Sequence, residues 1–147
     1  MIIIPHFSKY ANENNFSIHV HSVGDGSTKK VLDAIEKSYE LNNKCDFRNT
    51  ITHLQLVDEK DIKRFKDLNI IAAVQPYWHI KGPKWWDEVD YKLLGERAKY
   101  EYPLKSFIKE GVKIASSSDH SVTPIPNPFY AIEAGVTRNL YNSKYFG

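Results

Sequence analysis

A single cysteine, Cys45, stands in 147 residues. That excludes an intrachain disulfide framework and a cysteine-based zinc knuckle. No apolar run approaches the roughly 20 residues that a bilayer-crossing helix requires, so no membrane partner is expected. Charge of one sign is also lacking. Twenty basic residues against 18 acidic ones leave +2 at pH 7, too balanced for nucleic acid or an anionic membrane to be the main partner. The opening Met1-Ile-Ile-Ile-Pro5 has no basic n-region and no small-residue cleavage site, so it does not read as a signal peptide; it reads as a chain entered part-way, with any signal expected upstream, and a cytoplasmic location is favoured without being fixed by these residues. No Gly-x-Ser-x-Gly elbow accompanies Ser116-Ser117-Ser118, which argues against a serine hydrolase. Gly24-Asp25-Gly26 lacks the third glycine of a dinucleotide fingerprint.

What is present is a globular composition. Three Trp, nine Tyr and seven Phe, with 41% apolar and 26% charged residues, supply enough buriable surface for one compact domain and exclude disorder as a whole-chain description. Short apolar runs alternate with helical stretches. Strands are expected near 16–21, 49–54, 70–75 and 112–117, where β-branched residues cluster or an apolar run is continuous. A short polar helix is expected over Ser8 to Asn15. Val31, Leu32, Ile35 and Tyr39 fall at helical spacing, so a turn at Gly24–Ser27 leads into a helix from Thr28 to about Leu41, ended by Asn42-Asn43. Asp58 is placed to cap the next helix, with Asp61 three residues on and Val57 and Ile62 as a hydrophobic staple. Tyr77 to Tyr102 holds all three Trp with little periodicity and reads as a long loop, with one short helix around Leu93 to Lys99. Pro103 opens the next helix and Gly111 closes it. Asn127-Pro128 starts the last, which runs to about Tyr141.

Strands joined through helices pair in parallel with right-handed crossovers. Two architectures satisfy this: a doubly wound open sheet, or part of a (β/α)8 barrel. In both, chemistry collects at the carboxyl ends of the strands. The polar residues there are His19 and His21 on the first strand, His53 on the second, Gln75 on the third and Asp119 on the fourth. Two imidazoles and a carboxylate converging on one point form the usual ligand set of a catalytic zinc or similar divalent ion. His19 and His21 project on the same face, so spacing does not decide which is the ligand. Trp78, Trp85 and Trp86 either line a pocket or pack the long loop. His6, His79 and His120 read as surface or loop residues, the latter two near enough to strand ends to touch substrate. Cys45 falls in a helix-to-strand connection, away from that face.

These segments, taken together and in order, resemble a known family. His21-Ser-Val-Gly-Asp25, Arg48-Asn-Thr-Ile-Thr-His53-Leu-Gln-Leu-Val57, Ala73-Val-Gln75-Pro76, Leu94-Gly-Glu-Arg97-Ala98 with Tyr102-Pro103, Gly111-Val and Ser118-Asp119 are similar to the C-terminal part of the metal-dependent amidohydrolases. The branch is the one that holds YtcJ-like proteins, N-substituted formamide deformylase and exoenzyme regulatory proteins. The resemblance runs from about Ala11 to Asn139. It implies a TIM-type (β/α)8 barrel with a mono- or binuclear metal centre, of which this chain supplies strands five to eight. His21, His53 and Asp119 carry over as metal ligands, zinc being the expected ion, and Asp119 as general base on the metal-activated water. Arg48, Gln75 and Arg97 match motif positions with substrate-side or structural roles, and His120 lies beside Asp119. Two departures bear on substrate identity. Thr52 stands where the family commonly has a glutamate, and His120-Ser121 replace a small residue and proline.

The resemblance further implies that residues 1–147 form one partial domain of four β–α units, without the N-terminal half-barrel and the small β domain. The activity it implies is hydrolysis of a C–N amide-type bond in a small molecule, with the isolated chain itself inactive. The rival reading is a non-catalytic half-barrel remnant or interaction module, whose open sheet edges invite pairing with a second copy. A flavodoxin-like binding module lacks a phosphate-binding glycine loop.

Overall fold

The computed structural model describes residues 3–42, 46–124 and 126–139. The chain divides into two compact units, one of Met1–Val74 with Pro103–Ala115 and one of Gln75–Tyr102 with Ser116–Gly147.

The first unit is built on the sheet. Strands β1 (His19–Ser22), β2 (Thr50–His53), β3 (Ile71–Val74) and β4 (Ile114–Ser116) lie side by side in sequence order. β1 pairs with β2 and β2 with β3 in parallel, and the Ala72 N–H donates to the Lys113 carbonyl at 2.9 Å to bring in the fourth strand. This is the sequential parallel sheet of a half-barrel, not the reordered sheet of a doubly wound fold.

Register sorts the side chains by face. Val20, Ile51 and Ala72 are partners across the sheet, and Ile51 and Ala72 are fully buried with Val20 packed against their cluster. Helix α2 (Asp25–Asn42) adds Val31, Leu32, Ile35 and Tyr39 to that core. Helices α3 (Glu59–Asp67) and α5 (Leu104–Glu110) add Phe65 and Phe107, whose rings meet edge-on with centroids 5.0 Å apart. Alternation along a strand turns the intervening residues the other way. The row His19, Thr50, Ile71 and the row His21, Thr52, Ala73 therefore share the face opposite the helices.

The helix boundaries follow local chemistry. Asp58 caps α3 by accepting from the Lys60 N–H at 3.2 Å, and Val57 and Ile62 are both buried as a staple requires. Asp61, placed by sequence as the reciprocal capping residue, instead accepts from Arg64 Nη1 at 3.0 Å. Arg64 also donates to Asp33 at 2.8 Å and Glu36 at 2.7 Å on α2, tying α3 to α2. Removing the guanidinium leaves the Asp61 carboxylate, 3% exposed, without its cation. Arg64→Ala is therefore expected to lower unfolding stability by about 1–3 kcal/mol, read from urea unfolding against an Asp33→Ala control that costs well under ~1 kcal/mol.

Some expectations are corrected. Helix α1 spans Ile3–Glu13, earlier than the Ser8–Asn15 segment. Helix α2 begins inside the expected turn, because the Gly24 carbonyl accepts from the Thr28 N–H (2.9 Å) and the Ser27 hydroxyl (2.7 Å) and so acts as the start of the helix. Pro103 lies just before α5 instead of inside it, while Gly111 closes the helix at φ 78 as expected. Asn127 caps α6 (Pro128–Thr137) by accepting from the Phe129 and Tyr130 N–H groups. The helix stops at the left-handed Arg138, short of Tyr141. Cys45, Asn43 and Tyr141 lie outside the described residues.

In the second unit the expected loop is a chain of short helical pieces. A 3-10 turn at Pro76–His79, a π-helix at Pro83–Asp90, α4 (Tyr91–Leu94) and a 3-10 segment at Gly95–Tyr100 follow one another. Proline at the start of the first two pieces and Gly95 at φ 57 after α4 break what could otherwise run as one helix. The two faces of this segment differ. Trp86 packs near Tyr91 and under the Lys81 ammonium, 4.7 Å from its ring centroid, while Trp85 is exposed.

Candidate metal centre

The first unit brings two histidines together at the carboxyl ends of adjacent parallel strands. His21 and Ser22 close β1 opposite Thr52 and His53 at the end of β2. The His21 and His53 rings meet edge-on, with centroids 4.4 Å apart and planes at 65°. The ring that meets His53 is that of His21; His19 sits one pleat back and is exposed. His53 is buried, whereas His21 opens to solvent.

The backbone around the pair is held tightly. His53 (φ 74) and Leu54 (φ 57) are successive left-handed residues without glycine, a conformation that costs on the order of 1–3 kcal/mol per residue. It is held by the Leu54 N–H on the Ser22 carbonyl (2.9 Å) and the Leu56 N–H on the Val23 carbonyl (2.8 Å). The Ser22 hydroxyl, buried beside His21, contacts the hydroxyls of Ser27 (2.7 Å) and Thr28 (2.9 Å) at the start of α2. Thr52 donates its hydroxyl to the Ala73 carbonyl at 3.3 Å.

In the second unit the polar residues past β3 and β4 form a separate set. Gln75 is buried and donates from Nε2 to Ser117 Oγ at 2.8 Å. Asp119 is half-buried at φ 56, and its carbonyl accepts from the Thr123 N–H at 3.0 Å. His120 Nδ1 lies 3.2 Å from the Thr123 carbonyl. Among the described residues no group of three His, Cys, Asp or Glu side chains is placed to hold a metal ion. The structure thus assembles His21 with His53 as a pair.

The remaining candidates are dispersed. Arg48 is exposed just before the amino end of β2, the opposite end from His53. Arg97 is exposed on the Gly95–Tyr100 segment. His79, read from sequence as a surface or loop residue, is instead 1% exposed. It stacks on Tyr102 with centroids 4.6 Å apart, and its own carbonyl accepts from Arg138 Nε at 3.2 Å. Burial, reinforced by the neighbouring Arg138 charge, depresses its pKa to about 3. Burial likewise raises the Tyr102 phenol and lowers the Arg138 guanidinium.

The profile of the amidohydrolase family matches residues 7–146. The chain belongs to the amidohydrolase family. It is 30% identical over 128 residues to the Bacillus subtilis protein YtcJ and 32% identical over 136 residues to the Arabidopsis thaliana protein LONG AFTER FAR-RED 3, covering 87% and 92% of this chain and 23% of each relative. It is 26% identical over 104 residues to the exoenzymes regulatory protein AepA of Pectobacterium carotovorum, covering 69% of this chain and 22% of that one. This amidohydrolase chain therefore spans about a quarter of the length of the curated relatives it matches. Two crystal structures of uncharacterized metal-dependent hydrolases share its fold. The Pyrococcus furiosus protein has a TM-score of 0.72 at 24% identity over 98% of this chain and 28% of its own. The Pyrococcus horikoshii protein has a TM-score of 0.69 at 26% identity over 92% and 25%. The sheet order of the amidohydrolase chain and its partial coverage of these longer hydrolases agree with the half-barrel expected from sequence.

Proposed function

We propose that this chain is the part of a metal-dependent amidohydrolase that contributes His21 and His53 as metal ligands and Asp119 as ligand and general base, for hydrolysis of a C–N amide-type bond in a small molecule. The observation that carries the reading is the His21–His53 pair, two imidazoles 4.4 Å apart at neighbouring strand ends. That donor set suits a borderline divalent ion such as zinc. Among the described residues of the first unit no further His, Cys, Asp or Glu completes a group of three with the pair, so its fit is that of two ligands of a larger set, to which we add Asp119. Such an ion would supply Lewis acidity at the carbonyl and make water nucleophilic near neutral pH. The chain's own part is proton transfer. Asp119 takes one proton from the attacking water and delivers it to the nitrogen as the C–N bond breaks, so the amine leaves with that proton while the water oxygen and its second proton end in the carboxyl group of the acyl product.

The relatives are about four times longer than this chain, and we assign the remaining ligands and half of the substrate pocket to that additional length in the parent enzyme. That no group of three such donors is placed to hold an ion among the described residues favours a second reading, a non-catalytic remnant. Zinc titration calorimetry tests the pair. His21→Ala and His53→Ala are each expected to weaken binding at least about tenfold, with His19→Ala close to the parent, whereas equal affinity in all three variants would overturn the pair's role. For catalysis, the chain with zinc, manganese or nickel is expected to turn over N-acyl and N-formyl amines barely, since misplacement of a reacting group by about 1 Å costs on the order of 100-fold. Robust turnover abolished by Asp119→Asn would instead make the isolated chain an enzyme and remove the remnant reading.

A further inference from the structure

We propose that Gln75 is a positioning residue for Asp119, acting through Ser117; the inference rests on reading Asp119 as ligand and base. Gln75 follows the last residue of β3, and its side chain is buried, with 3% of the residue exposed. Its Nε2 donates to Ser117 Oγ at 2.8 Å across 42 residues of chain. Ser117 is the residue after β4 and stands two before Asp119.

From Ser117 onward the chain makes a turn held by its own groups. Ser118 Oγ accepts from the His120 N–H at 3.2 Å. The Asp119 carbonyl accepts from the Thr123 N–H at 3.0 Å, and His120 Nδ1 faces the Thr123 carbonyl at 3.2 Å. These bonds fix the turn's internal shape but tie it to nothing outside residues 118–123. The Gln75 amide ties it, through Ser117, to a position 42 residues earlier in the chain.

Two features make this contact a control on Asp119 in particular. Asp119 sits at φ 56, a narrow left-handed well for a residue with a Cβ, so a shift in the preceding residues moves its carboxylate as a lever. The anchor is also a neutral amide. A lysine or arginine at position 75 could also donate to Ser117 but would bring a positive charge to the turn that carries the carboxylate, which favours its ionised form and weakens it as a base. A buried glutamine fixes position without supplying charge.

The test uses the whole chain and two readouts. Amide hydrogen exchange at Thr123 reports the turn. Gln75→Leu and Ser117→Ala are each expected to accelerate it about five- to tenfold, the worth of one hydrogen bond, and the double variant no further, because both remove the same bond. Gln75→Glu restores protection to within about twofold, since the carboxylate can accept from the Ser117 hydroxyl. Ser117 is exposed, so its alanine variant keeps the test alive if Gln75→Leu does not fold. Zinc affinity reports the coupling. Gln75→Leu is expected to weaken zinc binding about tenfold when Asp119 is present and less than about twofold in an Asp119→Asn background. Unchanged Thr123 exchange in both single variants overturns the proposal, as does an equal loss of zinc affinity in both backgrounds, which marks a general effect on the fold. Loosened exchange together with zinc affinity indifferent to Asp119→Asn supports Gln75 as the anchor of the turn and overturns the reading of Asp119.

Discussion

His79→Leu is expected to protect the protein against acid. In the parent, His79 is buried with neither ring nitrogen hydrogen-bonded among the described residues, and its pKa is depressed to about 3 by burial and by Arg138. An unfolded histidine titrates near 6.5, so between these values the unfolded chain takes up a proton that the folded chain refuses. The stability that depends on a neutral His79 is therefore complete above about pH 6.5 and is lost progressively as pH falls toward 3, on the order of 4 kcal/mol over the whole interval. Leucine has no proton to take up and leaves no buried nitrogen unsatisfied. Urea unfolding at pH 7.5 and 4.5 should show the parent losing about 2–3 kcal/mol more than the variant across that interval. Parallel pH profiles would show that His79 is solvated or paired in solution and would sink the prediction.

Asn49→Ala is expected to cost about 3–5 kcal/mol, more than a typical core truncation of that size. Asn49 is fully buried. Its Oδ1 accepts from the Ile18 N–H at 2.8 Å and from Asn12 Nδ2 at 3.2 Å, and its Nδ2 donates to Asn12 Oδ1 at 3.2 Å and the Tyr39 hydroxyl at 3.1 Å. One amide thus joins α1, the approach to β1, and α2 at the entry to β2. Alanine strands several of those groups in the interior, where an unpaired polar group is costly. Asn12→Ala removes one partner and should cost less than half as much. A loss below about 1 kcal/mol for Asn49→Ala in equilibrium denaturation would show that the network is not a structural hub.

The sequence carried the parts of this structure that depend on near neighbours. The four strands were legible because β-branched and apolar runs such as Ile70–Val74 are local signals, and the buried face of α2 because Val31, Leu32, Ile35 and Tyr39 repeat at helical spacing. Asp58 announced α3 by cap chemistry alone. The nearness of the strand ends that carry His21 and His53 was legible as topology, since parallel strands joined in sequence order must bring their ends together. What escaped depends on distant partners. Nothing around His79 marks it as buried, because Tyr102 and Arg138, which enclose it, come from elsewhere in the chain. Asn49 looks like an ordinary polar residue before a strand until Asn12, Ile18 and Tyr39 are placed around it. The segment after Gln75 has the length of a loop and no repeat, yet each short piece closes its own turns between Pro76, Pro83 and Gly95. The Gln75–Ser117 bond is another such case, invisible without the fold.

The face of the sheet opposite the helices has a consequence for how the strands meet solvent. Parallel sheets are commonly greasy on both sides, and a half-barrel built that way would carry an adhesive concave surface. Here His19, His21, Thr50 and Thr52 share that face with Ile71 and Ala73, with His19 and His21 exposed, the threonines and Ile71 half-buried and Ala73 buried. Imidazoles and hydroxyls are wetted at little free-energy cost, so the interfacial tension of the β1–β2 part of this surface is low. The sheet can therefore keep its helix-side core while the β1–β2 part of its other side stays hydrated.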